Sequence, residues 1–422
     1  MRVRLNGVGF DLASRLQTRI AEQWPGLGGG DRDDVTIELD GLQGDAAWFA
    51  VALRLGVMMC GRQPDRPLVP IGTPRLSRRD LFGMIGLGRG VVRPLPRVIA
   101  GACQLDSGCL RCVEACPGSA LVAVNGHLSL DDVLCLHCGL CVSACPVGAL
   151  NHPPSTEDSV AVLCDVVTSF AASVDDIVLV FTCGSLPPQP WVAQVDVADI
   201  GTVGVRWLLR AAASGVAGVI VNCVDGSCVG SDAAREAVVT VASAIGKSGP
   251  VVRFVDGSVD GDVLVQVRES GHPVTPAGDA GVGWEGFVES IAAVARPQAS
   301  VKGLGFTAVT VGPSCTSCGA CARACDRGAL SLQPDSSLTY LATACPGCGA
   351  CVGACPEHCV TLTDSDAYNA DVGTRVTVHT DEVVRCRLCG QPVGPKSMLL
   401  KVGALLGSPG HIDDLCASCK QH

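Results

Sequence analysis

The sequence predicts a multidomain protein of mixed α+β and α/β class. Two small cysteine-rich domains flank a central parallel α/β domain, and a small four-cysteine metal knuckle domain closes the chain. Three observations carry this prediction. The chain has 422 residues, more than one compact domain usually holds. Its 26 cysteines fall in repeated groups instead of being scattered. Between two of those groups, strand-like runs alternate with helix-like runs, the pattern of a parallel sheet. Only 4% of residues are aromatic, and there are 51 Gly and 25 Pro, so the cores must be small and aliphatic and the turns frequent. The acidic balance, a net charge of −10, argues against nucleic acid as a partner, because phosphate binding needs a basic face.

The cysteines also bear on compartment. A disulfide scaffold would normally follow a signal peptide, whereas Met1-Arg2-Val3-Arg4-Leu5 leads into alternating sequence with no apolar segment and cleavage site. Ser77-Arg78-Arg79-Asp80-Leu81-Phe82 has the form of a twin-arginine export motif, but it lies about 75 residues in, where such signals do not work. No uninterrupted apolar run reaches the ~18 residues that span a bilayer. The expectation is a cytoplasmic protein, not integral to a membrane, whose cysteines ligate metal.

Residues 1–100 read as a small α/β region of unknown role, with alternation over Met1 to Phe10 and Asp34 to Leu39, a helical stretch from Asp45 to Met59, and one cysteine, Cys60. Residues 101–154 form the first cysteine-rich domain and residues 301–365 the second, an internal duplication about 200 residues apart. Residues 155–300 carry strand-like Ile177 to Phe181, Val216 to Val221 and Val251 to Val255, with helix-like Gly204 to Ala213 and Asp232 to Ile245 between them. Residues 380–422 hold two Cys-x-x-Cys pairs.

In the first repeat the order Cys135-x2-Cys138-x2-Cys141-x3-Cys145-Pro146 places three thiolates on one tight loop and a fourth just beyond it. This is bacterial 4Fe-4S spacing, in which the fourth cysteine serves the other cluster. The preceding half, Cys103-x5-Cys109-x2-Cys112-x3-Cys116-Pro117, has an enlarged first loop but keeps four ligands. The second repeat reads Cys315-x2-Cys318-x2-Cys321-x3-Cys325 and Cys345-x2-Cys348-x2-Cys351-x3-Cys355-Pro356, with Asp326 in place of a proline that is not a ligand. Zinc sites rarely use three cysteines spaced two apart followed by Cys-Pro. Small residues between the ligands, such as Gly139, Ala144, Gly319, Ala324, Gly349 and Ala354, suit a loop wrapped closely on an inorganic core.

These repeats resemble two-cluster bacterial-type ferredoxin domains, present twice. The resemblance implies four 4Fe-4S clusters with crossed ligation. One would use Cys103, Cys109, Cys112 and Cys145, and its neighbour Cys135, Cys138, Cys141 and Cys116. In the second repeat the sets would be Cys315, Cys318, Cys321 and Cys355, and Cys345, Cys348, Cys351 and Cys325.

In the middle domain Phe181-Thr182-Cys183-Gly184 ends one strand, and Gly218-Val219-Ile220-Val221-Asn222-Cys223-Val224-Asp225-Gly226-Ser227-Cys228 runs through another into a Cys-x4-Cys pair. This segment, about residues 176 to 258, resembles the delta subunit of methyl-viologen-reducing hydrogenases. The resemblance implies a 2Fe-2S cluster and a role linking a hydrogenase or formate dehydrogenase to a flavoprotein. Cys183, Cys223 and Cys228 match family cysteines, whereas Leu186 and Ala198 stand where the family has others. Either Cys164 completes the set or it is a core residue, as a lone cysteine in Val162-Leu163-Cys164 commonly is; Asp225 is the other substitute.

At the C-terminal end, Cys386-x2-Cys389-Gly390 and Cys416-x2-Cys419 supply the four thiolates of a closed tetrahedral zinc site, with a single iron as the alternative. Cys60 and Cys359 have no assigned role. His137 either tunes a potential or faces solvent from its loop. No Gly-x-Gly-x-x-Gly or Walker pattern follows a strand, so no flavin, nicotinamide or substrate site of its own is indicated.

The function expected is an electron-transfer subunit of an oxidoreductase complex, relaying low-potential electrons between a dehydrogenase or hydrogenase and a flavoprotein or other acceptor subunit. An iron-sulfur assembly or redox-regulatory protein is the alternative, and reactive thiols in the middle domain a third. Anaerobically purified chain should contain about 16 iron and one zinc, the content of four cubanes and a closed four-cysteine site. Iron, acid-labile sulfide and zinc analysis checks this, and eight irons or fewer would contradict it.

Overall fold

The computed structural model describes residues 2–6, 34–38, 66–67, 69–70, 95–99, 102–105, 108–152, 155–170, 177–184, 186, 191–224, 226–275, 283–295, 306–365, 373–410 and 412–420. The expected helix from Asp45 to Met59, Cys60, the Ser77 to Phe82 motif and Asp225 lie outside them. The chain divides into two compact units, Met1–Cys103 with Arg111–Arg296, and Gln104–Leu110 with Pro297–His422.

In the first unit β1 (Arg2–Asn6) and β2 (Asp34–Glu38) pair in parallel, the two stretches whose alternation marks them as strands. Short strands β3 (Arg66–Pro67), β4 (Val69–Pro70) and β5 (Arg97–Val98) follow. The first cysteine-rich segment contains helix α1 (Arg111–Glu114), strands β6 (Leu121–Val124) and β7 (His127–Leu130), helix α2 (Leu140–Ser143) and β8 (Leu150–Asn151). β6 and β7 form a two-residue hairpin through Asn125 and Gly126, both at positive φ (49° and 74°). Asn-Gly is the pair that tolerates this turn best. β4 joins β7 in parallel, and β5 pairs with both β3 and β8.

Helix α3 (Glu157–Phe170) then leads into the α/β domain: β9 (Val178–Thr182), β10 (Val192–Asp196), a 3-10 turn at Ile200–Thr202, α4 (Val205–Ala213), β11 (Gly218–Cys223), α5 (Ser231–Ile245), β12 (Val251–Asp256), α6 (Gly261–Ser270) and α7 (Gly283–Val294). The sheet is fully parallel with order β10-β9-β11-β12. Its central strands, VLVFT and GVIVNC, are buried along their whole length. That is why they read as continuous apolar runs and not as alternating ones.

The order reverses between β9 and β11, so a crevice opens beyond their C-terminal ends. Side chains lock that edge. Thr182 Oγ1 donates to Asn222 Oδ1 (3.0 Å), and Asn222 Nδ2 donates to the carbonyls of Val255 (3.1 Å) and Gly257 (2.7 Å).

Glu157 joins the cysteine-rich segment to this domain. Its backbone N–H donates to Asn151 Oδ1 (3.1 Å), while its buried carboxylate accepts from Trp207 Nε1 (2.6 Å) and from the Arg206 guanidinium (3.0 Å). The Trp207 ring lies 6.0 Å from that of Phe181 in β9.

In the second unit β13 (Thr307–Val311) pairs antiparallel with β16 (Val360–Asp364). Between them lie α8 (Ala320–Arg323), a hairpin of β14 (Leu330–Leu332) with β15 (Leu338–Tyr340), and α9 (Ala350–Gly353). β17 (Val376–His379) adds to β15, so the sheet recruits a strand beyond residue 365. Arg375 fastens it, donating to the Gly328 carbonyl (2.9 Å). The tail consists of the hairpin β18 (Val383–Arg385) and β19 (Pro392–Pro395), α10 (Lys396–Leu405) and the short α11 (Ala417–Lys420).

Replacing Glu157 by Ala leaves the Arg206 guanidinium and the Trp207 indole N–H buried without their acceptor. Such a loss costs about 3 kcal/mol, to be measured as a lowered urea midpoint followed by tryptophan fluorescence.

Candidate metal centres

Three of the four ligand sets implied by the sequence each ring a cavity. Cys116, Cys135, Cys138 and Cys141 line one in the first unit, together with Pro117, His137 and Gly139. In the second unit Cys325, Cys345, Cys348 and Cys351 line another, closed by Tyr340, whose hydroxyl donates to the Thr307 carbonyl. A third is lined by Cys315, Cys318, Cys321 and Cys355. Of the remaining set, Cys103, Cys112 and Cys145 belong to the first unit and Cys109 to the segment that groups with the second.

The loops owe their shape to left-handed residues at matching places. His137, Ser317 and Gly347 (φ 55°, 48° and 70°) each precede the second cysteine of a Cys-x-x-Cys pair, and Gly139, Gly319 and Gly349 (φ 70°, 71° and 85°) each follow it. Ser317 on these loops, and Ser119 and Gly148 (φ 49° and 67°) just after the Cys-Pro steps, turn N–H groups toward sulfur. Ser317 N donates to Cys315 Sγ (3.5 Å), Ala120 N to Cys116 Sγ (3.3 Å) and Ala149 N to Cys145 Sγ (3.2 Å). His137 acts through its backbone too, its N–H lowering the proton affinity of Cys135 against a larger rise from burial.

Burial dominates at five other ligands. It pushes the thiol of Cys321 up to about 11 and that of Cys351 up to about 12, and raises Cys138, Cys141 and Cys345 as well. Thiols so placed release protons when they bind a metal. A ring of four sulfurs, at least two of them buried in each case, fits an iron-sulfur cubane, and the same donor set fits no hard oxygen-seeking cation.

Thiols converge more tightly in two other places among the described residues. Cys386, Cys389, Cys416 and Cys419 bring their sulfurs within 4.8 Å of one another, as do Cys183, Cys223 and Cys228. In the tail, the hairpin turn carries the first pair and the start of α11 the second. Arg387 N donates to the Asp414 carbonyl (3.2 Å) and holds the two together. Backbone N–H groups of Cys416 and Cys389 aimed at its sulfur bring the Cys386 thiol down to about 6, the thiolate that a metal needs. In the α/β domain Cys183 follows β9, Cys223 ends β11 and Cys228 precedes α5, so the crevice at the strand ends gathers them.

Cys164 does not join that group. It lies fully buried on α3, its thiol pushed up to about 12 by burial, beside Arg210 and Ser214. Of the two options that the sequence leaves for Cys164, the core residue is the one observed. Leu186 also remains a non-ligand, its backbone N–H bound to Gln194 Oε1 (3.3 Å).

Two features were not legible from spacing. Cys359 lines the same cavity as Cys315, Cys318, Cys321 and Cys355, its sulfur 3.5 Å from that of Cys355; the Cys-Pro-x-x-Cys interval is the only hint. The second is Asp199, a buried carboxylate whose Oδ1 accepts from Gly201 N (2.8 Å) and Gly230 N (3.2 Å) and whose Oδ2 accepts from Val229 N (2.9 Å). It ties the Ile200–Thr202 turn to the loop after Cys228. Against both of these loops packs the cluster-type loop: a Cβ on Gly230 would stand 3.0 Å from the Cys138 carbonyl, and one on Gly139 would stand 2.8 Å from Thr202 N. The cavity of Cys138 and the three-thiol site are thus neighbours in backbone contact.

Residues 105–150 match the family of 4Fe-4S dicluster domains. The chain is 46% identical over 39 residues to an uncharacterized ferredoxin of Methanocaldococcus jannaschii, covering 9% of this chain and 24% of that protein. It is 33% identical over 55 residues to the "Putative electron transport protein YsaA" of Escherichia coli, covering 13% of this chain and 35% of that protein. The chain thus spans a quarter to a third of the length of these curated relatives. Among the described residues no helix is long and apolar enough to cross a membrane.

Gly230→Val inserts a side chain where Gly201 Cα and the Cys138 carbonyl already touch. The variant should keep its iron content but shift the spectroscopic signature of the cluster bound near Cys138, read by EPR of the reduced protein; an unchanged spectrum would show that this contact is unimportant.

Proposed function

We propose that this chain is the electron-transfer subunit of a multisubunit oxidoreductase, holding four 4Fe-4S clusters on its two ferredoxin-type segments and one zinc ion in its tail. The observation that carries the proposal is the set of cavities ringed by Cys116, Cys135, Cys138 and Cys141, by Cys325, Cys345, Cys348 and Cys351, and by Cys315, Cys318, Cys321 and Cys355. The dicluster family match and the two relatives support the same role. A cubane bound by four thiolates exchanges single electrons without an open coordination position.

The chain itself supplies what such a cofactor needs. The cysteines ligate it, the left-handed loop residues aim backbone N–H groups at sulfur, and Leu121, Leu130, Leu330 and Leu338 keep water from the ring. Each of these contributions tunes the potential. No nucleotide or substrate motif competes with a relay role. Donor and acceptor are other protein subunits, a dehydrogenase or hydrogenase on one side and a flavoprotein or similar acceptor on the other, in the cytoplasm. The zinc, on Cys386, Cys389, Cys416 and Cys419, carries no current and stabilises the tail.

Reductive titration of the anaerobic protein should give midpoints near roughly −400 mV, as for ferredoxin-type sites. Cys138→Ser should lower iron by about four per chain and slow electron flux through the chain while zinc stays bound. Unchanged flux in that variant would overturn the relay.

A further inference from the structure

The resemblance to hydrogenase delta subunits implies a 2Fe-2S cluster in the α/β domain, and the described residues do not fit one. Two irons need four protein ligands. Cys164 is walled off on α3, and among the described residues only Cys183, Cys223 and Cys228 share the site. Their spacing disagrees as well. Thiolates that share one ion at metal–sulfur distances of about 2.3 Å stand roughly 3.8 Å apart, whereas thiolates on opposite irons of a binuclear core must stand further apart. All three sulfurs lie within 4.8 Å of one another, as tightly as the four in the tail.

We propose that Cys183, Cys223 and Cys228 bind a single thiophilic divalent ion of the zinc and cadmium class, as a three-thiolate centre with an exchangeable fourth position. Two further observations favour it. The site sits at the strand-order reversal of a parallel sheet, where such folds place ligands. Thr182, Asn222 and the N–H of Val224, which donates to Cys183 Sγ (3.4 Å), fix the strand ends that carry the thiols. Asp199, a carboxylate close to Cys228, is engaged by three backbone N–H groups and is not spare to close the coordination sphere. Cys223 and Cys228 are buried and Cys183 is half-buried, so the centre opens on the Cys183 side.

The test uses the full chain, purified anaerobically and dialysed against cadmium, with cadmium, iron and sulfide counted per chain and the bound ion examined by 113Cd NMR. The wild type should bind about two cadmium ions, one per convergent thiol group, with distinct three-sulfur and four-sulfur resonances. Cys223→Ser should remove the three-sulfur resonance and about one ion, and Cys416→Ser the other, with iron and sulfide unchanged in both. Cys183→Ser, at the open side of the site, should weaken cadmium binding at least about tenfold and guards against misfolding of the Cys223 variant.

Loss of about two irons and two sulfides in Cys223→Ser would establish a binuclear cluster and overturn the proposal. So would a wild type that binds only the cadmium dependent on Cys416. Failure of the four-cubane reading would appear separately, as low iron in the wild type with the cadmium counts intact.

Discussion

Much of this protein depends on one constraint: in its cysteine-rich segments the core is made of sulfur. In the second unit six of the twelve residues in the buried cluster are cysteines, with Val309, Leu330, Leu338, Tyr340 and Val360 packed around them. Burial raises the thiols of Cys321, Cys345, Cys351 and Cys359, so at these sulfurs a proton competes with a metal. A bound cluster replaces protons with iron and turns the cavity into packed interior. Cofactor binding and folding are then one equilibrium, as in other small metal domains.

The same sulfur chemistry is graded by geometry. Where four cysteines stand back around a cavity, the space suits a polynuclear core. Where they close to within 4.8 Å, as at Cys386, Cys389, Cys416 and Cys419, it suits a single ion. Backbone donors adjust the sulfurs further, because an N–H aimed at sulfur favours the thiolate whereas burial opposes it. Cys386 shows the first effect prevailing and Cys321 the second.

Glycine sets how the ferredoxin-type loop meets the α/β domain. Gly201 and Gly230 allow backbone to touch backbone at the Cys138 carbonyl and Gly139 at Thr202, and Asp199 accepts from the N–H groups of Gly201, Val229 and Gly230 in the same loops. A buried carboxylate is tolerable there because three N–H groups satisfy it. The Cys138 loop and the loop after Cys228 are thereby brought into van der Waals contact.

The cysteine spacing carries the resemblance to two-cluster ferredoxins that implies the ligand sets, and three of those sets line cavities in the fold. The buried strands Val178–Thr182 and Gly218–Cys223 were equally legible, because a parallel sheet covered on both faces leaves an uninterrupted apolar run. Tertiary structure alone decided which isolated cysteines meet. Cys164 and Cys183 look alike in sequence, yet one is buried on a helix face and the other follows a strand that ends beside Cys223. Asp199 and Cys359 were silent for the same reason: their partners, Val229 and Gly230 for the one and the ring of Cys315 for the other, are fixed by chain reversals that carry no local pattern.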